Sequence, residues 1–233
     1  MNTIKNDDIA LCLTGGGARG SYQAGVLLAL GEILNAEGLV DAKQPIKHFY
    51  GTSAGAINAA YAAAGAENLK SATRRLARIW NNLTPEQIYR TDLKALGENS
   101  LKWVKDLTFG ALFKERSARS LLDTAPLEKL ISRGFMYRQI EKNLNNKIIS
   151  SLGCSAYNYR EAKTYSFIQT REPAEWTKPR RISKATQIRA EHILASCAIP
   201  ILFPSVKLGE DYFADGGFRD TAPLAPAIHL GAK

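Results

Sequence analysis

Within its first 64 residues the chain carries the same three-part unit twice: a short apolar run, a glycine-bearing turn and a helix-forming run. In the first copy, Ile9 to Thr14 reads as a buried strand entering Gly15-Gly16-Gly17-Ala18-Arg19-Gly20. Behind it Tyr22, Val26, Leu30, Ile33 and Leu34 recur at helical spacing, with Ser21 as a candidate cap and Gly38 just past the end. In the second copy, Pro45 breaks the chain, Ile46 to Tyr50 reads as a strand, and Gly51-Thr52-Ser53-Ala54-Gly55 turns into an Ala-rich helix from Ala54 to Ala64. A strand that crosses over a helix before the next strand runs parallel to it. The repetition therefore predicts an α/β three-layer sandwich, with a central, largely parallel sheet flanked by helices.

Further along, Leu69, Leu76, Ile79, Trp80 and Leu83 form one apolar helical stripe, with Lys70, Arg74, Arg75 and Arg78 mostly off it. A second helix is expected to begin near Thr124 and Pro126. Residues 147–157 and 163–170 are rich in β-branched and aromatic side chains and read as paired strands about the turn Asn158-Tyr159-Arg160-Glu161. Helix returns from about Gln187 to Ser196, Pro200 and Pro204 frame an irregular apolar loop, and Asp215-Gly216-Gly217 makes a turn before a short closing helix. No repeat or linker divides the chain, so residues 1–233 are expected to form a single domain. Because Ala227 to Lys233 reads as a helix end with Gly231 as its cap, leading towards another strand, the chain is expected to lack a C-terminal strand or continuation.

Composition limits where such a chain can work. The three cysteines, Cys12, Cys154 and Cys197, lie in apolar runs without C-x-x-C spacing, which points to reduced thiols, a reducing compartment and no zinc. The first apolar run begins only at Ile9, after two aspartates, which does not fit a signal peptide. The longest nearly apolar stretch, Ala54 to Ala66, is broken by Asn58 and falls short of the roughly 20 residues that span a bilayer. We therefore expect a cytoplasmic protein, peripheral to membranes at most. Of the formal +9 charge, most belongs to residues 68–147, which hold 16 basic against 8 acidic side chains, together with Trp80, Trp103, Phe109 and Phe113. A basic, aromatic surface of this kind could meet anionic headgroups or nucleic acid, or could be a solvated face over a helical core.

The chemistry is concentrated at the turns. Gly51-Thr52-Ser53-Ala54-Gly55 fits G-x-S-x-G between a strand and a helix, where glycines tighten the turn and lift the Ser53 hydroxyl above the sheet. A serine hydroxyl needs a base within hydrogen-bond reach. The candidates are Asp215 and the histidines His48, His192 and His229, and the order Ser53, Asp215, His229 also allows an α/β-hydrolase triad. Gly15 to Gly20 has two readings. Gly15-x-Gly17-x-x-Gly20 satisfies a dinucleotide fingerprint, with Glu37 or Asp41 as the ribose acid of an NAD(P)-dependent oxidoreductase. Alternatively the exposed N–H groups and Arg19 form an oxyanion site, which has a use for the serine turn downstream.

Taken together, Gly15-Gly16-Gly17-Ala18-Arg19-Gly20, Gly51-Thr52-Ser53-Ala54-Gly55 and Asp215-Gly216-Gly217 resemble the three signatures of the patatin-like phospholipase family. Ala195-Ser196-Cys197-Ala198-Ile199-Pro200 with Phe203-Pro204 resembles its approach to the aspartate loop. The resemblance covers residues 9–230, although Glu86 to Arg119 carries no part of it. It implies a lipid acyl hydrolase of phospholipase A or lysophospholipase type, with a Ser53–Asp215 dyad, an oxyanion hole at Gly15, Gly16, Gly17 and Arg19, and no metal or cofactor. Gly20, Gly51, Gly55, Gly216 and Gly217 are the motif glycines. It further implies a phospholipid or other acyl-ester substrate and one more strand after Lys233; for such a hydrolase the basic segment 68–147 is expected to meet an anionic membrane rather than nucleic acid.

Overall fold

The computed structural model describes residues 9–91, 120–134, 136–219, 224–230 and 232. The repeated unit forms as expected: β1 (Ile9–Leu13) passes through α1 (Gly20–Ala36) to β2 (Ile46–Thr52), which turns into α2 (Ala54–Ala64). Next come α3 (Leu69–Asn81), α4 (Ala125–Gly134) and α5 (Tyr137–Asn145), leading to the hairpin of β3 (Ser151–Asn158) and β4 (Lys163–Thr170). The chain closes with β5 (Thr177–Lys178), β6 (Arg181–Ala185), α6 (Ala190–Ser196), β7 (Val206–Leu208), β8 (Asp211–Asp215) and α7 (Leu224–His229).

The eight strands among the described residues join one sheet in the order β1-β2-β3-β4-β6-β5, with the β7–β8 hairpin attached through β8 to β3. The expectation of an α/β sandwich holds, but the sheet is mixed rather than largely parallel. Parallel pairing is confined to β1–β2, β2–β3 and β4–β6. The chain reverses in only a few residues between β3 and β4 and between β7 and β8, and so short a link joins strands only antiparallel.

Alternation along the strands separates two unequal cores. Leu11, Leu13, Phe49, Leu152 and Cys154 face the large cluster that α1 to α6 cover, while Cys12, Tyr50 and Ile168 face a small one closed by Leu230, just past α7. On α1 the periodic large residues mark the inner face only in part: Leu34 is buried and Leu30 packs against the core. Ala24, Leu27, Gly31 and Leu34 are buried, whereas Tyr22, Val26 and Ile33 point to solvent. The small residues are inside because α3 lies close alongside, antiparallel: a Cβ on Gly31 would sit 3.1 Å from Lys70 Cα, and one on Gly20 would strike the Trp80 ring. Nor does Ser21 cap the helix; its hydroxyl donates to Ala18 O (2.8 Å). Trp80 turns inward, and Trp103, Phe109 and Phe113 lie outside the described residues, as does Gly231. No helix among the described residues is long and apolar enough to cross a membrane.

Candidate active site

Sheet register brings the serine and the aspartate together. One edge of β3 is fully taken by β4, so β2 and β8 must share the other edge. β2 runs along it in parallel as far as Thr52 opposite Ser155, and β8 comes from the other direction, antiparallel, to end with Asp215 opposite Ala156. The two strands thus finish head to head on successive residues of β3. Ser53 and Asp215, 162 positions apart by their numbering, meet where they finish.

Ser53 caps α2 with φ 56° and ψ −129°, a strained conformation for a residue with a side chain, of a kind that costs about 1–3 kcal/mol. The strain is sustained from three directions. The Ser53 N–H donates to Ser196 Oγ at 2.9 Å. Thr52 Oγ1 and Ser155 Oγ are 2.5 Å apart. Gly51 and Gly55 let the backbones close up, since a Cβ on Gly55 would lie 2.6 Å from Thr14 O and one on Gly51 2.6 Å from Ala56 N.

Asp215 is tied down as firmly. Its N–H donates to Ala198 O (2.8 Å), Gly217 N–H donates to its Oδ1 (2.7 Å), and its carboxyl lies close enough to the Ser53 side chain to feel its polarity. Burial raises its pKa above the ordinary aspartate value, and the polar groups of Ser53 and Gly217 lower it by less. Gly216 packs where a Cβ would lie 2.7 Å from the Ser155 carbonyl carbon. A base of more than usual strength is thus held against a serine hydroxyl at 6–7% exposure for both residues.

The glycine-rich loop lies beside this pair. A Cβ on Gly15 would be 3.2 Å from Ser53 Cβ, Gly17 adopts φ +54°, and the Arg19 side chain folds back over Gly16. Among the described residues, the N–H groups of Gly16 and Gly17 meet no acceptor, which leaves donors free at the start of α1. The loop is anchored at both ends through Asn58, the polar residue that interrupts the Ala-rich run. Trp80 can only donate, so its Nε1–H fixes Asn58 Oδ1 (2.7 Å), and the amide nitrogen then donates to Gly20 O (3.0 Å) and Gln23 Oε1 (3.1 Å). Gln23 in turn donates to Thr14 O (2.8 Å). A polar residue inside an Ala run is the sequence signal for this anchor, and its partners are invisible until the helices pack.

None of the histidines reaches the pair. His229 stacks on Trp176 with ring centroids 4.9 Å apart, His48 Nδ1 lies 2.9 Å from Ser151 Oγ, and His192 accepts from Arg189 N–H while its ring abuts Phe167. Burial lowers the His192 pKa. The Ser53–Asp215–His229 triad is therefore not assembled. The dinucleotide reading fails on geometry as well. Glu37 follows the end of the 17-residue α1, roughly 25 Å along the helix from the glycine loop, and Asp41 is beyond it. Among the described residues no group of three His, Cys, Asp or Glu is placed to hold a metal ion.

Over Ser53 opens an apolar cavity of about 590 Å³, lined by Ile57, Leu76, Trp80, Leu127, Ile131 and Phe203 among others. A second groove, of about 630 Å³, lies between α2, α3 and α5, and Ser53 does not line it.

A family model described as patatin-like phospholipase matches residues 11–228. The crystal structure of VipD from Legionella pneumophila is similar in fold, with a TM-score of 0.52 and 17% sequence identity over 93% of this chain. The match takes in 47% of VipD, so this chain spans about half the length of that protein. A comparison with curated protein sequences finds no match.

Proposed function

The chain belongs to the patatin-like phospholipase family, and from that membership we propose that it is a lipid acyl hydrolase, of phospholipase A or lysophospholipase type, acting through a Ser53–Asp215 dyad. The observation that carries the reading is the convergence of a strained, buried serine and a buried aspartate at the meeting ends of β2 and β8, beneath an apolar cavity. In the first half-reaction Ser53 Oγ attacks the acyl carbonyl carbon while Asp215 takes its proton. The developing oxyanion faces the N–H groups of Gly16 and Gly17, with Arg19 alongside. The C–O bond then breaks, the departing alcohol takes the proton from Asp215, and the acyl group stays on Ser53. Water attacks the acyl-enzyme with Asp215 again as base, releasing the fatty acid and restoring the hydroxyl. A carboxylate can do this without histidine because burial makes it more basic.

The cavity supports an apolar acyl chain as the portion of substrate that is bound, since its walls are mostly hydrocarbon and Ser53 lines it. The basic excess in residues 68–147 supports an anionic membrane as the place where substrate is met, in preference to nucleic acid. Three unpaired cysteines support work in a reducing compartment, the cytoplasm being the simplest. Incubation with a fluorophosphonate probe, then mapping of the labelled residue, tests the mechanism. Label on Ser53, loss of long-chain ester hydrolysis in Ser53→Ala and Asp215→Asn, and little change in His229→Ala are expected. An active Ser53→Ala protein would falsify the reading.

A further inference from the structure

The outward face of α1 is left without a partner by the rest of the described fold. Tyr22, Val26 and Ile33 are 78%, 50% and 59% exposed and follow one another at helical spacing, with exposed Gly25 and Ala29 between them. A solvated helix places polar side chains on such a face. Here the only charged residue along α1 is Glu32, and it pairs with Arg74 of α3 (3.0 Å). Beside this stripe, α3 presents Lys70, Arg74 and Arg78 in a row four residues apart, and α3 contains no acidic residue. The two helices therefore form one face, apolar along α1 and basic along α3.

That face ends at the mouth of the cavity. Ala18 and Ser21, immediately before Tyr22, line the cavity, and so does Ile79, which follows Arg78 and is 40% exposed. Across the opening, Ile199 and Phe203 line the cavity, and between them Ile201 and Leu202 are exposed at 60% and 41%. Backbone bonds from Leu121 and Leu122 to Ile201 and Leu202 (both 2.9 Å) hold this second rim out.

We propose that the α1–α3 face is a lipid-docking surface, in which Tyr22, Val26 and Ile33 enter the acyl boundary of a bilayer while Lys70, Arg74 and Arg78 engage anionic headgroups. The pairing of apolar and basic rows is that of helices lying in a membrane interface. Its complementarity to an anionic surface, and its continuity with the opening through which an acyl chain must pass, favour a bilayer over a protein partner as the occupant. Docked in this way, the cavity mouth faces the lipid and a substrate need not cross water. The last step rests on reading the cavity as the acyl site; the docking surface itself does not.

The test uses the full chain with vesicles of phosphatidylcholine alone or mixed with phosphatidylserine, read by co-sedimentation. Wild type is expected to bind the mixed vesicles, and less so as salt rises. Val26→Glu with Ile33→Glu should lose about tenfold or more of that binding while turnover of a water-soluble short-chain ester and the unfolding temperature stay near wild type. Lys70→Ala with Arg78→Ala should lose about 25-fold on mixed vesicles and little on neutral ones, near fivefold for each charge. Variants that bind like wild type, or a wild type that turns over the soluble ester yet binds neither vesicle, overturn the proposal and leave the hydrolase reading standing. A wild type that binds vesicles through this face but cannot be labelled at Ser53 does the reverse. A soluble dimer that the glutamate variants dissolve, with vesicle binding unchanged, assigns the face to a second copy and also overturns the proposal.

Discussion

Replacing Asn58 by leucine removes a side chain of nearly equal volume, so what it tests is hydrogen bonding rather than packing. The amide sits at 0% exposure and makes three bonds: from Trp80 Nε1, to Gly20 O and to Gln23 Oε1. In the variant the Trp80 N–H loses its acceptor in a half-buried position, at a cost of about 1–3 kcal/mol, and losing the two weaker bonds adds about 1 kcal/mol. The sum is about 2–4 kcal/mol, or roughly 5–15 °C in the unfolding temperature of a chain this size. The same amide pins both ends of the loop carrying Gly15, Gly16 and Gly17, through Gly20 directly and through Gln23 to Thr14. Release of that loop should therefore lower kcat by up to about 100-fold, the scale of one oxyanion donor, with KM changed less than about threefold. Thermal unfolding followed by circular dichroism gives the first quantity, and steady-state turnover of a soluble ester well below the unfolding temperature gives the second. A fall in unfolding temperature with kcat unchanged would show that the loop keeps its shape without Asn58, and no fall at all would refute the bond count.

Other consequences are simpler to check. Because burial raises the Asp215 pKa above its unfolded value near 3.9, the native state binds the extra proton between the two values; stability then falls as pH rises through that window and is relieved below it. The acid limb of kcat/KM should accordingly lie above the usual aspartate range, and a limb at or below about pH 4 contradicts the desolvation argument. Gly55→Ala drives a Cβ to 2.6 Å from Thr14 O and 2.7 Å from the Leu13 carbonyl carbon, and should cost about 3 kcal/mol or more; an equilibrium denaturation curve within about 0.5 kcal/mol of wild type is the contrary result. Ala60→Leu fills part of the cavity with three more carbons, so long-chain esters that forfeit about 0.8 kcal/mol per displaced methylene should lose about 50-fold in kcat/KM against short-chain ones, and a chain-length profile unmoved by the change counts against an acyl cavity.

What could be read in advance was local. Ser53 and Asp215 stand out because each sits in a turn whose glycines have a steric task visible in five residues or fewer, and β3 and β4 stand out because their side chains favour strands on both sides of an obvious turn. What escaped depends on partners distant in sequence. Spacing alone does not reveal the inner face of α1, because Ala24 and Gly31 are buried for their smallness, which matters only once α3 is alongside. The mixed pairing escaped because a repeated strand–helix unit speaks for β1 to β3 alone, while β8 inserts against β3 from more than 50 residues away. Asn58 escaped because its partners, Gly20, Gln23 and Trp80, come from two other helices.

The head-to-head arrangement of β2 and β8 has a bearing on synthesis. A nascent chain emerging from the ribosome completes β2, with Ser53 at its end, long before Tyr212 to Asp215 have been translated. Until the final hairpin docks on β3, the serine has neither its carboxylate partner nor, from Ala198, the carbonyl that seats that carboxylate. On the proposed mechanism, a chain that has not yet added β8 lacks the base it needs, so the proposed activity depends on the β7–β8 hairpin reaching β3.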